Sequence, residues 1–183
     1  MSLNTTFKVD KELYYEDIFA SIIDRMNVNL TKKGIMNVGF MFGSIKEILN
    51  NIENITENRS VSRYKYPLIA LITNAVEKEV RDTNIFSEVR LNFIIIMNTD
   101  KDLKATERLE KNFKKVLIPI YREFLYQIKI NPLFYNGEGI VQHDKTRDYN
   151  LGRYNLKEVD GIKLNDYLDA ILIDNMEIKI KSF

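Results

Sequence analysis

The run from Val89 to Met97 (VRLNFIIIM) constrains this chain more than any other stretch, because its two faces carry different patterns. At period two, Val89, Leu91, Phe93, Ile95 and Met97 make one continuous apolar face. The other face begins polar at Arg90 and Asn92 and turns apolar at Ile94 and Ile96. This pattern predicts a strand half exposed at its start and covered on both faces at its end, an environment that favours β-branched and aromatic side chains. A polar turn, Asn98-Thr99-Asp100, follows, and Thr99 or Asp100 is expected to cap the next helix by accepting backbone N–H bonds.

That helix is the longest periodic pattern in the chain, Ala105 to Ile128. Leu109, Phe113, Val116, Leu117, Ile120, Tyr121, Phe124, Leu125 and Ile128 recur at helical spacing and define one face. Glu107, Arg108, Glu110, Lys111, Lys114, Lys115, Arg122 and Glu123 fall mainly elsewhere. Glu107–Lys111 and Glu110–Lys114 have the favourable i,i+4 order, worth about 0.3 kcal/mol each when exposed. Pro119 lacks an N–H and crowds the carbonyl four residues earlier, so a kink is expected near Leu117–Pro119. The apolar period continues through it, which favours one bent helix over two.

With 183 residues, 45% hydrophobic and 29% charged, the chain is expected to form a single domain over residues 1–183 with a substantial core. Lys+Arg 27 against Asp+Glu 26 gives a net charge of +1, so no global attraction to nucleic acid follows. The absence of Cys excludes disulfides and thiolate chemistry, and the single histidine, His143, removes multi-histidine metal sites. No apolar run is long enough to span a bilayer and the N-terminus has no signal-like core, so a soluble protein made in a cytoplasm is expected.

Asp10 to Met26 reads as an N-terminal helix capped by Asp10, with Tyr14, Ile18, Ile22 and Met26 at i+4 and Asn27 and Asn29 as its exit. Ile35–Phe42 reads as a strand that Gly43 turns, with Ser44 capping a helix to about Ile55. Asn54–Arg63 is expected to be an exposed loop; its two glycosylation-like triplets, at Asn54 and Asn58, are expected to be chance matches. Tyr66-Pro67 opens a strand through Leu68–Ile72. Thr73–Asn84 fits either a projecting loop or a ragged strand extension. Asn131-Pro132 ends the long helix, Asn136-Gly137 marks a turn, and His143–Gly152 is polar and irregular. Arg153–Lys163 suggests strand and turn around Asp160-Gly161, and Tyr167–Ile173 and Ile178–Lys181 read as two strands separated by Asp174-Asn175. The fold class is therefore α+β: a mostly antiparallel sheet packed against a long kinked amphipathic helix and an N-terminal helix.

Three patterns could carry chemistry. Glu177-Ile178-Lys179 with Asp169 or Asp174 matches the loose carboxylate–lysine set of a restriction-type metal-dependent nuclease, whose carboxylates hold Mg²⁺. An alternating terminal strand face produces the same residues. His143-Asp144 with Asp148 could form a general base or half a metal site, although a lone loop histidine beside an aspartate is more often only solvated or hydrogen-bonded. Arg63, Tyr64, Lys65 and Tyr66 could stack on single-stranded nucleic acid, or simply mark a strand entrance. No nucleophile elbow or phosphate-binding glycine loop is present. No catalytic, cofactor-binding or metal residue is assigned.

Several ordered segments carry a family resemblance: Tyr66-Pro67-Leu68-Ile69-Ala70-Leu71, then Leu91-Asn92-Phe93-Ile94-Ile95-Ile96 closing with Asn98-Thr99. Phe113-Lys114-Lys115-Val116-Leu117-Ile118-Pro119-Ile120-Tyr121 and Asn165-Asp166-Tyr167-Leu168-Asp169-Ala170-Ile171 with Ile178-Lys179-Ile180 complete the set. Over about residues 60–183 the chain resembles the neck and tail-completion proteins of tailed bacteriophages, the tail-terminator or head–tail connector ring subunits. Abundant Ile, Asn and Lys suit an AT-rich phage such as a crAss-like one. The resemblance implies a homo-oligomeric ring in the virion, assembled in the host cytoplasm and stacked against portal, connector or tail proteins. It implies a channel that DNA passes with weak, non-specific contact, no membrane association and no enzymatic activity. In such a ring the polar stretches Asn54–Arg63, Thr73–Asn84 and His143–Gly152 are candidates to order against neighbours.

Overall fold

The computed structural model describes residues 14–57, 65–80, 86–134, 141–151 and 166–181. In chain order the elements are α1 (Tyr15–Lys32), β1 (Gly39–Gly43), α2 (Ile45–Glu57), β2 (Leu68–Val80) and β3 (Phe86–Asn98). The long helix follows as α3 (Ala105–Arg108), a π-helical segment (Leu109–Leu117) and α4 (Ile118–Ile130), and β4 (Asp144–Leu151) and β5 (Leu168–Lys181) close the chain. The strands form one sheet in the order β1-β2-β3-β5-β4, with β1 parallel to β2 and every other pair antiparallel.

The two faces of β3 are used as its sequence pattern requires. Val89, Leu91, Phe93 and Ile95 join Ile18, Phe19, Ile22, Ile23, Met26 and Leu30 of α1 and Phe113, Leu117, Ile120, Phe124 and Ile128 of the long helix in the main core. Ile94 and Ile96 face the other way and meet Ile48, Leu49 and Ile52 of α2. Arg90 lies beyond the reach of α2 and is exposed. Helices thus cover one face of the central strands, from α1 and the long helix, and the other face where α2 packs.

Pro119 sits in the first turn of α4, directly after the π-helical segment. There the N–H of Ile118 bonds to the carbonyl of Phe113, five residues back. The widened turn accommodates a residue that cannot take part in the α-helical ladder. Glu107–Lys111 and Glu110–Lys114 pair at 3.8 and 2.5 Å on the exposed surface. Neither Thr99 nor Asp100 caps the helix. Asp100 Oδ1 closes a local turn by accepting the Asp102 N–H at 3.0 Å, and the helix starts after Lys104, whose N–H goes to Glu107 at 3.1 Å.

Several other expectations need correcting. Helix α1 runs past Asn27 and Asn29 to Lys32 and ends in a Schellman turn at Gly34 (φ +71°), with Gly34 N–H to Thr31 and Ile35 N–H to Leu30. The asparagines serve tertiary contacts instead: Asn27 pairs with both the N–H and the C=O of Val38, at 2.7 and 3.0 Å. Strand β1 starts at Gly39, not Ile35, and α2 takes in Asn54–Glu57. Of the two alternatives left open for Thr73–Asn84, the strand extension holds over Thr73–Val80, which continues β2 in register with β3 from Val76↔Arg90 to Val80↔Phe86. His143–Gly152 is not irregular, because β4 occupies most of it. The two C-terminal strands are one: Asp174 and Asn175 (φ +56°) form a bulge opposite Asn92, after which the strand resumes. Asp10, Asn58, Asn136-Gly137 and Arg153–Lys163 lie outside the described residues.

A buried carboxylate ties α1 to α4. Glu123 accepts bonds from Asn29 (2.8 Å), Gln127 (3.0 Å) and Lys33 (2.7 Å). Burial pushes its pKa up, but the bonds from Lys33, Gln127 and Asn29 and the charge of Lys33 outweigh this and hold it below the ordinary 4.5. A depressed carboxylate contributes stability that is complete above the unfolded-state pKa and disappears as pH falls through the folded value. Glu123→Ala is expected to cost about 1–3 kcal/mol at neutral pH, since the buried Gln127 amide and the half-buried Asn29 amide lose their acceptor. In urea melts at several pH values, the gap between wild type and variant should narrow below pH 4.5.

Candidate functional site: the sheet edges and the open face

Among the described strands, β1 and β4 form the two edges of the sheet, and they differ in chemistry. Strand β1 (GFMFG) carries no charge; Phe42 is 55% exposed, and the Phe40 and Phe42 rings lie 6.4 Å apart. Gly43 ends it at φ +152°, and a Cβ there would come within 3.1 Å of Glu47 Oε2 and 3.3 Å of its Cβ, so the turn into α2 requires glycine. Ser44 caps α2 as expected. Its N–H donates to Glu47 Oε2 at 2.7 Å while the Glu47 N–H donates to Ser44 Oγ at 3.3 Å. The bonds from the Ser44 N–H and hydroxyl hold the Glu47 carboxyl below the usual value, against a small opposing effect of burial. A shallow open depression of about 440 Å³ lies beside this edge, lined by Phe42, Gly43, Glu47, Asn50, Asn51 and Thr73.

Strand β4 (DKTRDYNL) is charged, the character that discourages indiscriminate edge pairing. Its residues alternate. Tyr149 packs at a tilt against Phe113 and Lys145 lies over Tyr121, so the odd positions face the long helix and Asp144, Thr146 and Asp148 face the opposite side. That opposite side is the face that α2 covers at one end; beyond α2 on the same face, Arg90–Glu177 (2.5 Å) and Lys179–Glu88 (2.9 Å) pair in the open. Asp174 lies opposite Asp144 in the register, and burial followed by the Asp144 charge raises its pKa.

The nuclease set is split by the fold. Asp169 belongs to the helix-covered face and is fully buried. Arg108 Nη2 lies 2.5 Å from its Oδ1, and Arg108 Nε and Asn112 donate to Oδ2 at 3.2 and 2.6 Å. Glu177 and Lys179 stand on the opposite face, past the bulge. Eight residues along a strand is about 26 Å. Asp174 shares their side but is turned toward β4. Among the described residues no group of three or more His, Asp or Glu could hold a metal ion. His143 does not join Asp144 and Asp148: Nδ1 donates to the Val141 carbonyl (2.7 Å), leaving Nε2 to accept from the Tyr121 hydroxyl (2.7 Å), while Asp144 accepts from Asn175 on the other side.

Lys65 and Tyr66 form no stacking platform. The Lys65 side chain is 3% exposed and pairs with Asp166 at 2.5 Å, and the Tyr66 hydroxyl donates to the same carboxylate at 2.9 Å. Burial, then the Asp166 charge, drives the phenol pKa far up. Arg63 and Tyr64 lie outside the described residues. The Arg108–Asp169–Asn112 cluster was missed from sequence, although a visible signal existed: Asp169 has the same parity as Ile171 and Ile173, so it occupies a core-facing position.

No helix among the described residues is long and apolar enough to cross a membrane. No protein-family model matches the chain, and no curated protein matches it in sequence.

Proposed function

We propose that this chain is a structural virion protein, a ring subunit of a phage neck or tail that joins the portal or connector to the tail and surrounds the DNA channel. The observation that carries this reading is the pair of unlike sheet edges, an uncharged β1 and a charged β4, at opposite ends of one rigid sheet. Different surfaces at opposite ends suit head-to-tail contacts, which close into rings when the rotation allows. The ordered resemblance over residues 60–183 supplies the identity of the ring. Contact with neighbours falls to the edges and to the paired extension of β2 and β3, since Asn54–Glu57 is helix and Thr73–Val80 and Asp144–Leu151 are strand.

Mass photometry and electron microscopy of the protein, alone and with the products of adjacent genes, test the reading. Closed rings are expected in at least one of these mixtures. A chain that stays monomeric in all of them overturns the proposal, as does Mg²⁺-dependent plasmid cleavage that Glu177→Ala abolishes.

A further inference from the structure

Three cations gather where β4 meets the long helix. Lys145 Nζ lies 3.9 Å from the centroid of the Tyr121 ring. Arg122 follows Tyr121 in α4, and Arg147 is two residues along β4 on the face of Lys145; all three cations are exposed. None of them forms an ion pair among the described residues, whereas Lys33, Lys65, Arg90, Arg108 and Lys179 each have a carboxylate partner. The nearby acids of β4, Asp144 and Asp148, alternate onto the other side of the sheet. Burial, then the charges of Arg147 and Arg122, hold the Lys145 ammonium below the ordinary lysine value. Like charges held together without a carboxylate partner among the described residues cost free energy that a bound anion would offset.

We propose that Arg122, Lys145 and Arg147 form a sequence-independent binding surface for the phosphate backbone of double-stranded DNA. The choice of DNA as the polyanion rests on the ring reading; the cation cluster does not. Two guanidinium groups suit bidentate contact with phosphate oxygens. Base stacking is not offered here, because Lys145 covers Tyr121 and His143 engages its hydroxyl. Contacts to backbone alone position a duplex without reading it.

The test is fluorescence anisotropy of the full chain with a labelled duplex of random sequence, over a salt series. Three phosphate contacts predict a log–log salt slope of about −3 per subunit, and each cation-to-glutamine change should flatten it by about 1. The triple variant Arg122→Gln/Lys145→Gln/Arg147→Gln should lose measurable binding. Arg122→Gln/Arg147→Gln keeps the Lys145 packing and gives a second reading if the triple variant does not fold. Lys111→Gln/Lys114→Gln, which removes cations already paired on the helix, should bind as wild type. Undiminished DNA binding by the folded variants overturns the proposal, as does binding of polyglutamate but not DNA. Mass photometry of the same samples separates the two readings. A monomer that binds DNA through these cations keeps the surface and ends the ring; a ring that ignores DNA does the reverse.

Discussion

Asp169→Ala is expected to lower stability by about 3–5 kcal/mol, because it leaves the Arg108 guanidinium buried without its counter-charge. Asp169 is fully buried and the Arg108 side chain only 8% exposed. Asn112 would also lose one of two acceptors, keeping only the Thr99 hydroxyl at 2.7 Å. The cluster joins the start of the long helix to β5 and to the turn after β3, so its loss loosens three elements together. Urea denaturation measures the effect as a lower midpoint at unchanged slope. The double variant Arg108→Met/Asp169→Leu should recover most of the loss, since replacing both partners of a buried pair with apolar groups is often close to neutral. A small effect of Asp169→Ala, or a failure of the double variant to recover, would contradict this account. Mg²⁺ should leave the melting temperature of the wild type unchanged, because the guanidinium occupies the carboxylate.

Phe93→Ala should be comparably severe, about 3–5 kcal/mol, through lost burial and the cavity left behind. Phe93 packs edge-on against Phe19 (4.8 Å) and Phe124 (5.1 Å), so one ring joins the central strand to α1 and α4. Arg90→Ala, three residues earlier on the opposite face, should change stability by less than about 0.5 kcal/mol, since it loses only an exposed ion pair. The contrast between these variants in thermal melts tests the face assignment of β3. Equal losses would refute it.

Much of the fold was legible because it is written in local periodicity. The parity of Val89–Met97 identified both faces of β3, including the point where Ile94 and Ile96 acquire cover. The apolar stripe of the long helix supplies Phe113, Leu117, Ile120, Phe124 and Ile128 to the core, but Arg108 and Glu123, expected mainly on the remaining surface, are buried as well; the Ser44 cap could be read from its place before the helical pattern. The errors fall where asparagines and charges have more than one use. Asn27 and Asn29 resembled a helix exit, yet their amides bond to Val38 and Glu123. Asp174-Asn175 resembled a turn, and an asparagine that tolerates positive φ suits a turn and a bulge equally well. Only the pairing of β5 with β3 distinguishes the two. Strand β4 lacks an apolar alternation because an edge strand can be held by backbone bonds to one neighbour.

The candidate surfaces were less legible than the core. Burial acts on each residue through its own hydrophobicity, so a period along the chain records it. Charge pairing acts between residues far apart in sequence, such as Arg108 with Asp169 or Arg90 with Glu177, and leaves no period. The sequence by itself therefore determined the α+β composition of the chain, the central strand with its two unlike faces, and the interrupted helix that covers one of them. Only the tertiary structure decided that Asp169 lies apart from Glu177 and Lys179, that His143 belongs to Tyr121, and that β1 and β4 form the sheet edges. It alone brought Arg122, Lys145 and Arg147 together, because strand order and the hand of each side chain are fixed by non-local backbone pairing.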